Sequence, residues 1–534
     1  MTYRSVTDWC KGILCQVLKK ENLYLGLLLL GYGFFLLHRI DISVGDLGRH
    51  LKNGELIIQY ISEHRSLAPI LHTNFYSHTF GDTSFVNHHW GSGVLFFSIW
   101  KLFGFSSLII GNACIGLIAL VLFWRAIRPE ARGMGAFIIG CGSLMLLSER
   151  VDIRPEMFSY LGVALFFYIL EKQRQGILSE RYLYALPLIE LVWVNLHIYF
   201  FLGPFLLGLY FLESVIPKPR VERSTKVLGA CLVATVIFGC VNPSGVAGFL
   251  YPLCILGDYG LSIQENLSLH TLLLSNPWYG PGTIFKIIVF FFIVGFGVLF
   301  FKQRTRFRLL RVVIIGIFAV FAIHMARNIS LFGFLALPIG AELWYSLRPI
   351  LFKQKRIPLY LRITIIGFFL LLFGLLSKEI ITRSWHSFGV TLEASTADAA
   401  LFMRDQKIAG PLFNDFDSGS YLIWYLYPAV KPFVDNRPEA YGAVFFSDQY
   451  IPMNQDEAAW QAADKNFNFN SIVYSFSDRA PWTFPFIIAR INDPVWAPVF
   501  ANQYAIIFVK RTDANEALIK KYEVPKSAFS VVEG

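Results

Sequence analysis

Long apolar runs separated by short polar connections fill the chain from about residue 20 to residue 378. Eleven of them come near the roughly 20 apolar residues that a helix needs to cross a bilayer. They are 22–39, 106–124, 134–148, 157–171, 182–196, 198–215, 226–241, 285–301, 311–324, 329–346 and 360–378. The pattern predicts an α-helical polytopic membrane region of about eleven spans. Within the connection 41–105, residues 45–62 have a helical period instead. Asp46, His50 and Asn53 share one face at i, i+4, i+7, while Leu47, Leu51, Ile58 and Ile61 form an apolar face. This predicts an amphipathic helix lying along the membrane surface.

Beyond residue 378 the apolar runs shorten and Asp, Asn, Pro and Ser become frequent. The chain therefore divides into a transmembrane region, 1–378, and a separate soluble α/β domain, 379–534. Helices are expected at 396–407, 418–427 and 513–522, and strands at 411–414, 431–434, 471–474 and 504–510.

The net charge of +10 does not indicate nucleic acid, because its placement marks topology. Lys and Arg collect in alternate connections: Arg4, Lys11, Lys19 and Lys20; Arg125, Arg128 and Arg132; Lys172, Arg174 and Arg181. The series continues with Lys218, Arg220, Arg223 and Lys226, then 302–311, then Arg348, Lys353, Lys355, Arg356 and Arg362. The segment 242–284 has none. By the positive-inside rule the amino terminus is cytoplasmic and the carboxyl-terminal domain extracytoplasmic, in a multi-pass protein of the inner (plasma) membrane. The apolar segment 90–104 is read as a second surface helix, since a span there would put Arg125, Arg128 and Arg132 outside. The first apolar run is long, lacks a small-residue cleavage site and is expected to stay as an anchor. The seven cysteines form no CxxC pair, and the tail has none, so no disulfide framework is implied.

With sides assigned, the unusual polar residues gather on the outer face. They are Asp41, Asp46, Arg49 and His50; His88 and His89; Asp152, Arg154 and Glu156; Asn195 and His197; Asn242; and His324, Arg327 and Asn328. Charged groups held beside a bilayer are costly unless used or paired. The histidines lack zinc-site spacing, and no HExxH occurs. Asp415-Phe-Asp417 has the form of a DxD metal motif, but a turn capped by Asp417 or Ser418 explains it better. No cofactor is expected, and no motif indicates a divalent metal.

An Asp just after the first span (Asp46) opens a surface helix, and a Gly-acidic-aliphatic break follows (Gly54-Glu55-Leu56). A second surface helix ends in Leu102-Phe103-Gly104, and a polar outer turn leads into an aromatic span (Arg154-Pro-Glu-Met-Phe-Ser-Tyr160). In this order the motifs resemble the GT-C glycosyltransferases, in the branch of protein O-mannosyltransferases and the lipid A aminoarabinose transferase. The likeness covers almost the whole chain. It departs where the mannosyltransferases carry an Asp-Glu pair, here Asp46-Leu47, and where a Lys-Pro-Pro is replaced by His88-His89-Trp90.

The resemblance implies an inverting transferase that moves a sugar from a polyprenyl-phosphate-linked donor to a glycan, lipid or protein acceptor, among membrane lipids and without nucleic acid. It makes Asp46 the base, with His50 and Asp41 as further catalytic candidates. Arg154, Arg327, His324 and His89 would meet the donor phosphate, and Asn195, His197, Asp435 and Arg437 the acceptor. Plainer readings stand beside these. Asp46 as helix cap paired with Arg49, the arginines in ion pairs with Asp152, Glu156 or Glu190, and Asn195 and His197 satisfying a tight turn are each compatible with the sequence. A flippase of lipid-linked glycans and an inactive envelope assembly or sensor protein are the alternative functions. The first would favour mirrored halves, which the sequence lacks.

Overall fold

The computed structural model describes residues 20–43, 45–216, 223–254, 259–261, 266–352 and 358–529. Arg4, Lys11, Lys19, Cys10, Cys15, Lys218, Arg220, Lys353, Lys355 and Arg356, used above for topology and cysteine placement, lie outside them.

Helices occupy all eleven apolar stretches. In chain order, with the two surface helices, they are α1 (Lys20–Leu36), α2 (Leu47–Ser62), α3 (Trp90–Phe103), α4 (Phe105–Ala126), α5 (Met134–Leu147), α6 (Glu156–Arg174) and α7 (Ala185–Trp193). Then come α8 (Leu202–Val215), α9 (Arg223–Gly239), α10 (Gly245–Cys254), α11 (Gly280–Lys302), α12 (Leu309–His324), α13 (Ile329–Phe352) and α14 (Leu359–Leu376). Length and composition qualify fewer of them as spans. Phe105–Ala126, Ile198–Val215, Gly280–Lys302 and Ala326–Phe352 are long and apolar enough to cross a membrane, and a fifth arises if Ile363–Leu376 and Lys378–Ser387, bent by 71°, count as one. The number eleven is thus not established. The stretch 182–196 is the weakest, because α7 has 9 residues, about 14 Å at 1.5 Å per residue, against a hydrocarbon core of about 30 Å.

Helix α13 is the axis of the bundle. Its residues from Ile329 to Ala341 are buried without interruption, as expected of a helix apolar on all sides. Gly333 lies against Leu146 and the Ser143 carbonyl of α5. Outer helices instead expose Phe290, Ile293 and Phe301 of α11, and Phe368 and Leu371 of α14, the apolar surface a bilayer would cover.

After α14 the chain bends into α15 (Lys378–Ser387) and returns beside the end of α1, where Arg39 N donates to Ser387 O (2.8 Å), Ile40 N to Thr391 O (3.0 Å) and Glu393 N to Ile40 O (2.7 Å). The rest is α/β: α16 (Asp398–Asp405), β1 (Leu412–Asn414), α17 (Gly419–Leu426), α18 (Glu457–Phe467), β2 (Ser471–Ser475), α19 (Thr483–Asn492), β3 (Trp496–Ala501), β4 (Ala505–Lys510) and α20 (Glu516–Tyr522). The sheet order is β1-β2-β4-β3, with β1–β2 parallel and the other pairs antiparallel. The strand expected at 431–434 does not form. Asn414 replaces a ladder there, its side chain accepting from Phe433 N and donating to Val434 O, both at 2.8 Å. Strand β3 and helices α18 and α19 were not anticipated.

Two close approaches fix the surface helices. Gly54 is no break: α2 runs through it to Ser62, and it marks where α2 crosses α3. A Cβ on Gly54 would stand 2.1 Å from Gly93 O, and one on Gly93 would stand 2.8 Å from His50 O. On its other side α2 meets α17. A Cβ on Gly48 would lie 2.6 Å from Ser420 O, and Arg49 N donates to Ser420 Oγ at 3.0 Å. Leu47 and Leu51 share one hydrophobic cluster with Phe96, Leu422 and Leu426, so the tail and the first loop bury a common core.

Gly54→Val is therefore expected to destabilise the protein by about 1–3 kcal/mol or more, the usual cost of overpacking. Gly26→Ala, in α1 with nothing within 4 Å of the added carbon, should be neutral or slightly stabilising. Melting in detergent checks both, and equal melting temperatures for the two variants would contradict the crossing.

Candidate active site

Asp46 stands at the amino-terminal end of α2, half-buried, and makes no side-chain cap hydrogen bond. The reading of Asp46 as a helix cap is thus not realised, nor is an ion pair with Arg49. A cap need not form here, because Ser420 of α17 already serves the Arg49 amide. Asp41 is engaged nearby, its Oδ1 accepting from Ser43 N (2.9 Å) and Ser43 Oγ (2.5 Å) in a tight turn. The turn into α2 passes through Gly45, at φ +83, and Arg154 Nη2 lies 3.6 Å from where a Gly45 Cβ would be. Arg154 is thus brought beside Asp46 by the backbone itself.

Facing them is a residue the sequence did not single out. Glu439 belongs to the short helical turn after Arg437. Burial, opposed by a backbone hydrogen bond and by Arg49 and Arg437 but reinforced by Asp46, pushes its carboxyl above the usual carboxylate range. Two carboxyls from opposite parts of the chain thus share one field. The only trace in the sequence was its place after Asp435-Asn-Arg-Pro438, where attention fell on the neighbouring charges. Those neighbours do other work. Asp435 and Arg437 are 0% and 3% exposed. Arg437 holds Asp435 with Nε (2.7 Å) and Nη2 (2.6 Å), and Tyr441 OH donates to the same carboxylate (2.9 Å). Arg437 also donates to Asn74 Oδ1 (2.5 Å) and lies over the Phe85 ring. The pair braces the tail against the first loop.

Three imidazoles, of His50, His88 and His197, gather around that of His89. The rings of His50 and His89 are 5.3 Å apart, His88 and His89 3.9 Å, and His89 and His197 5.1 Å and stacked. Burial, followed by the charge of Arg49 and of the other rings, holds His50 and His89 well below the ordinary histidine range. Burial lowers His88 to about 4 and His197 to about 3, in the latter case against the pull of Glu156. They are neutral near pH 7, so the expected imidazolium role of His50 and His89 is not available there. Ser159 Oγ receives Trp193 Nε1–H (2.8 Å) and meets His197 Nδ1 at 2.7 Å, which assigns the His197 proton to Nε2. No group of three His, Cys, Asp or Glu side chains among the described residues is arranged to hold a metal.

Asn195 is fully used: its Oδ1 accepts from Trp90 Nε1 (3.0 Å) and its amide donates to Leu191 O and Val241 O. It ties the start of α3 to the bundle. His324 is exposed at the end of α12, apart from these imidazoles.

The arginines differ from the simple ion-pair reading. Glu156 is taken by Arg150, at 2.6 and 3.0 Å, and Asp152 pairs with His38 at 3.3 Å. Both Glu190 oxygens are buried without a partner, wedged beside Gly203 and Gly239. Arg327 is held on a turn by Ala326 N donating to Leu267 O (3.0 Å) and by Tyr199 OH donating to Asn328 Oδ1 (2.8 Å). Among the described residues neither Arg327 nor the buried Arg49 has a carboxylate within ion-pair distance, and the Nε of each is buried and unbonded. Arg327 acts on His197 and Tyr259, and Tyr259 feels Glu439. Carboxyls, guanidiniums and imidazoles therefore form one connected site between the bundle, α2 and the tail.

No family model matches the sequence, and no curated protein matches it. Solved structures do. The archaeal oligosaccharyltransferase AglB from Archaeoglobus fulgidus, in complex with an inhibitory peptide and a dolichol-phosphate, aligns with TM-score 0.53 at 11% identity, over 93% of this chain and 75% of that one. ArnT from Cupriavidus metallidurans aligns at 0.51 and 14% identity, over 98% and 100% of the two chains. Arabinofuranosyltransferase AftD from Mycobacteria aligns at 0.50 and 12%, over 92% and 40%. The chain has the GT-C glycosyltransferase fold. At such identities it is the fold that is shared, and the site rests on this chain's own residues.

The neutral histidines link stability to pH. In the unfolded chain they take up protons near 6.5, whereas His88 and His197 in the folded chain do so near 4 and 3. Their contribution is complete above about pH 6.5 and is lost as the pH falls toward the folded values. The melting temperature should drop between pH 7 and 4.5, and by less in His88→Gln. An unchanged pH slope in that variant would contradict a neutral, buried His88.

Proposed function

We propose that the protein is an integral-membrane glycosyltransferase that moves a sugar from a polyprenyl-phosphate-linked donor to an extracytoplasmic acceptor with inversion. The observation that carries this reading is Asp46: a carboxylate at a helix start that caps nothing, beside Arg154 and across from Glu439. In the proposed step the acceptor hydroxyl oxygen attacks the anomeric carbon and Asp46 takes its proton. The bond from that carbon to the phosphate oxygen breaks, and the carrier phosphate leaves with the electron pair. Arg327 and Arg154 meet its developing charge, the planar guanidinium fork suiting two phosphate oxygens. Glu439, whose carboxyl burial pushes above the usual carboxylate range, is the second carboxyl proposed to contact the sugar. The neutral imidazoles supply hydrogen bonds without adding charge. The GT-C fold supports the reaction class, and the dolichol-phosphate held by AglB supports the carrier class.

The site is proposed to face away from the cytoplasm in the inner membrane, on the strength of the basic connections at its opposite end. A carboxyl-terminal reporter should be active only outside the cytoplasm; activity inside would overturn the orientation.

Transfer from a pool of polyprenyl-phosphate sugars to cell-envelope acceptors tests the chemistry. Asp46→Asn should lower turnover by about 10²–10⁴-fold with donor binding retained. Arg327→Ala should weaken donor binding and turnover more than Arg327→Lys, which keeps charge but loses the fork. Full turnover in Asp46→Asn would remove the base assignment. Unchanged donor affinity in Arg327→Ala, with lowered melting instead, would make that arginine structural.

A further inference from the structure

At the other end of the bundle a cavity of about 280 Å³ opens between α11, α12 and α13. Arg327 lies just before α13 and Ser346, on the cavity wall, lies 19 residues further along. At 1.5 Å per residue this is about 28 Å, so the cavity is remote from the site above.

Its lining has two parts. Phe296 and Leu299 of α11 face Ile339 and Leu343 of α13 to make an apolar wall, and Arg128, Arg306 and Arg308 stand at the mouth. Arg311, deeper, is neutralised by Glu171 (2.9 Å) and Glu342 (2.8 Å). Arg128, Arg306 and Arg308 have no carboxylate within ion-pair distance among the described residues. Arg174, Arg311 and Arg128 crowd Arg308 with like charge, offset in part by Glu213. Among the described residues Arg306 donates only to the Ser346 carbonyl (3.4 Å). The start of α12, directly after Arg308, adds the positive end of a helix dipole.

Cations gathered without counter-charge above an apolar slot match an amphiphile with a phosphate head. We propose that this pocket binds an anionic phospholipid, its phosphate between Arg128, Arg306 and Arg308 and the start of an acyl chain against Phe296 and Leu343. A soluble phosphate would satisfy the arginines but leave the apolar wall unused. A zwitterionic lipid would fill the wall but bring its own cation to the arginines.

The test uses the purified full chain in detergent, with mixed micelles of phosphatidylglycerol, mixed micelles of phosphatidylcholine, or inorganic phosphate alone. Melting and native mass spectrometry report stabilisation and bound lipid. Phosphatidylglycerol should raise the melting temperature and remain bound. Its affinity should fall about fivefold for each arginine removed in Arg308→Gln and in Arg128→Ala with Arg308→Gln, the factor for about 1 kcal/mol per basic residue. Because these side chains are exposed, the lipid-free melting temperature should stay unchanged, and Arg308→Gln provides the reading if the double variant does not fold. Equal stabilisation by phosphatidylcholine, equal stabilisation by inorganic phosphate, or undiminished phosphatidylglycerol binding in Arg308→Gln would each overturn the proposal.

Discussion

The placement of the site depends on one constraint: α2 is clamped between two backbones. At Gly54 it touches α3 and at Gly48 it touches α17, each approach closer than a Cβ allows. A helix held this way can neither rotate nor slide without losing both contacts, because packed interiors yield little. Asp46, Arg49 and His50 all sit on its first turn and inherit that rigidity. The clamp also joins the membrane bundle to the tail, which brings Glu439 within the electrostatic reach of Asp46. Catalytic groups gain from this, since small displacements of reacting atoms are costly to rate.

The electrostatics follow from what the clamp encloses. Two guanidiniums without carboxylate partners, Arg49 and Arg327, lie near imidazoles that burial keeps neutral. A carboxylate close to each would have neutralised them at the expense of any affinity for an anion. The carboxylates that could have done so are assigned elsewhere: Glu156 to Arg150, Asp435 to Arg437, Asp152 to His38. What remains is a positive field with Asp46 at its edge and Glu439, whose carboxyl burial pushes above the usual carboxylate range, acting on the same region. That distribution suits an anion better than a cation.

The sequence was informative where physics is local. Helical period and apolar length located the helices of the eleven apolar stretches but not α10, and 90–104 was read as a surface helix from charge placement alone. Span number was less accessible, because α7 is too short to cross by itself and apolar content does not distinguish a core helix from a crossing one. In the tail, β1, β2 and β4 were readable, but 431–434 was not. It has strand composition, yet its backbone groups are met by the Asn414 amide, a long-range substitution no local pattern encodes. Gly54 was misread for the same reason: a glycine in a helix is a break or a close contact, and only the partner, Gly93, decides.

The site residues divide along that line. Asp46, Arg154 and Arg327 were visible because charge beside an apolar run is unusual in itself. Asp435 and Arg437 were equally conspicuous, and the structure gives them to each other. Glu439, inconspicuous in the sequence, is the one whose carboxyl feels Asp46. The difference is whether a charge meets its counter-charge within the fold, and that is a property of pairs distant in sequence: His38 with Asp152, or Glu171 with Arg311. A bundle that pairs most of its buried charges and leaves unpaired cations at both ends of α13 has two places where an anion would lower its energy. At the first end Asp46 has neither a cap bond nor an ion-pair partner among the described residues, whereas at the second Glu171 and Glu342 are both held by Arg311, which is why chemistry is proposed for the first and binding alone for the second.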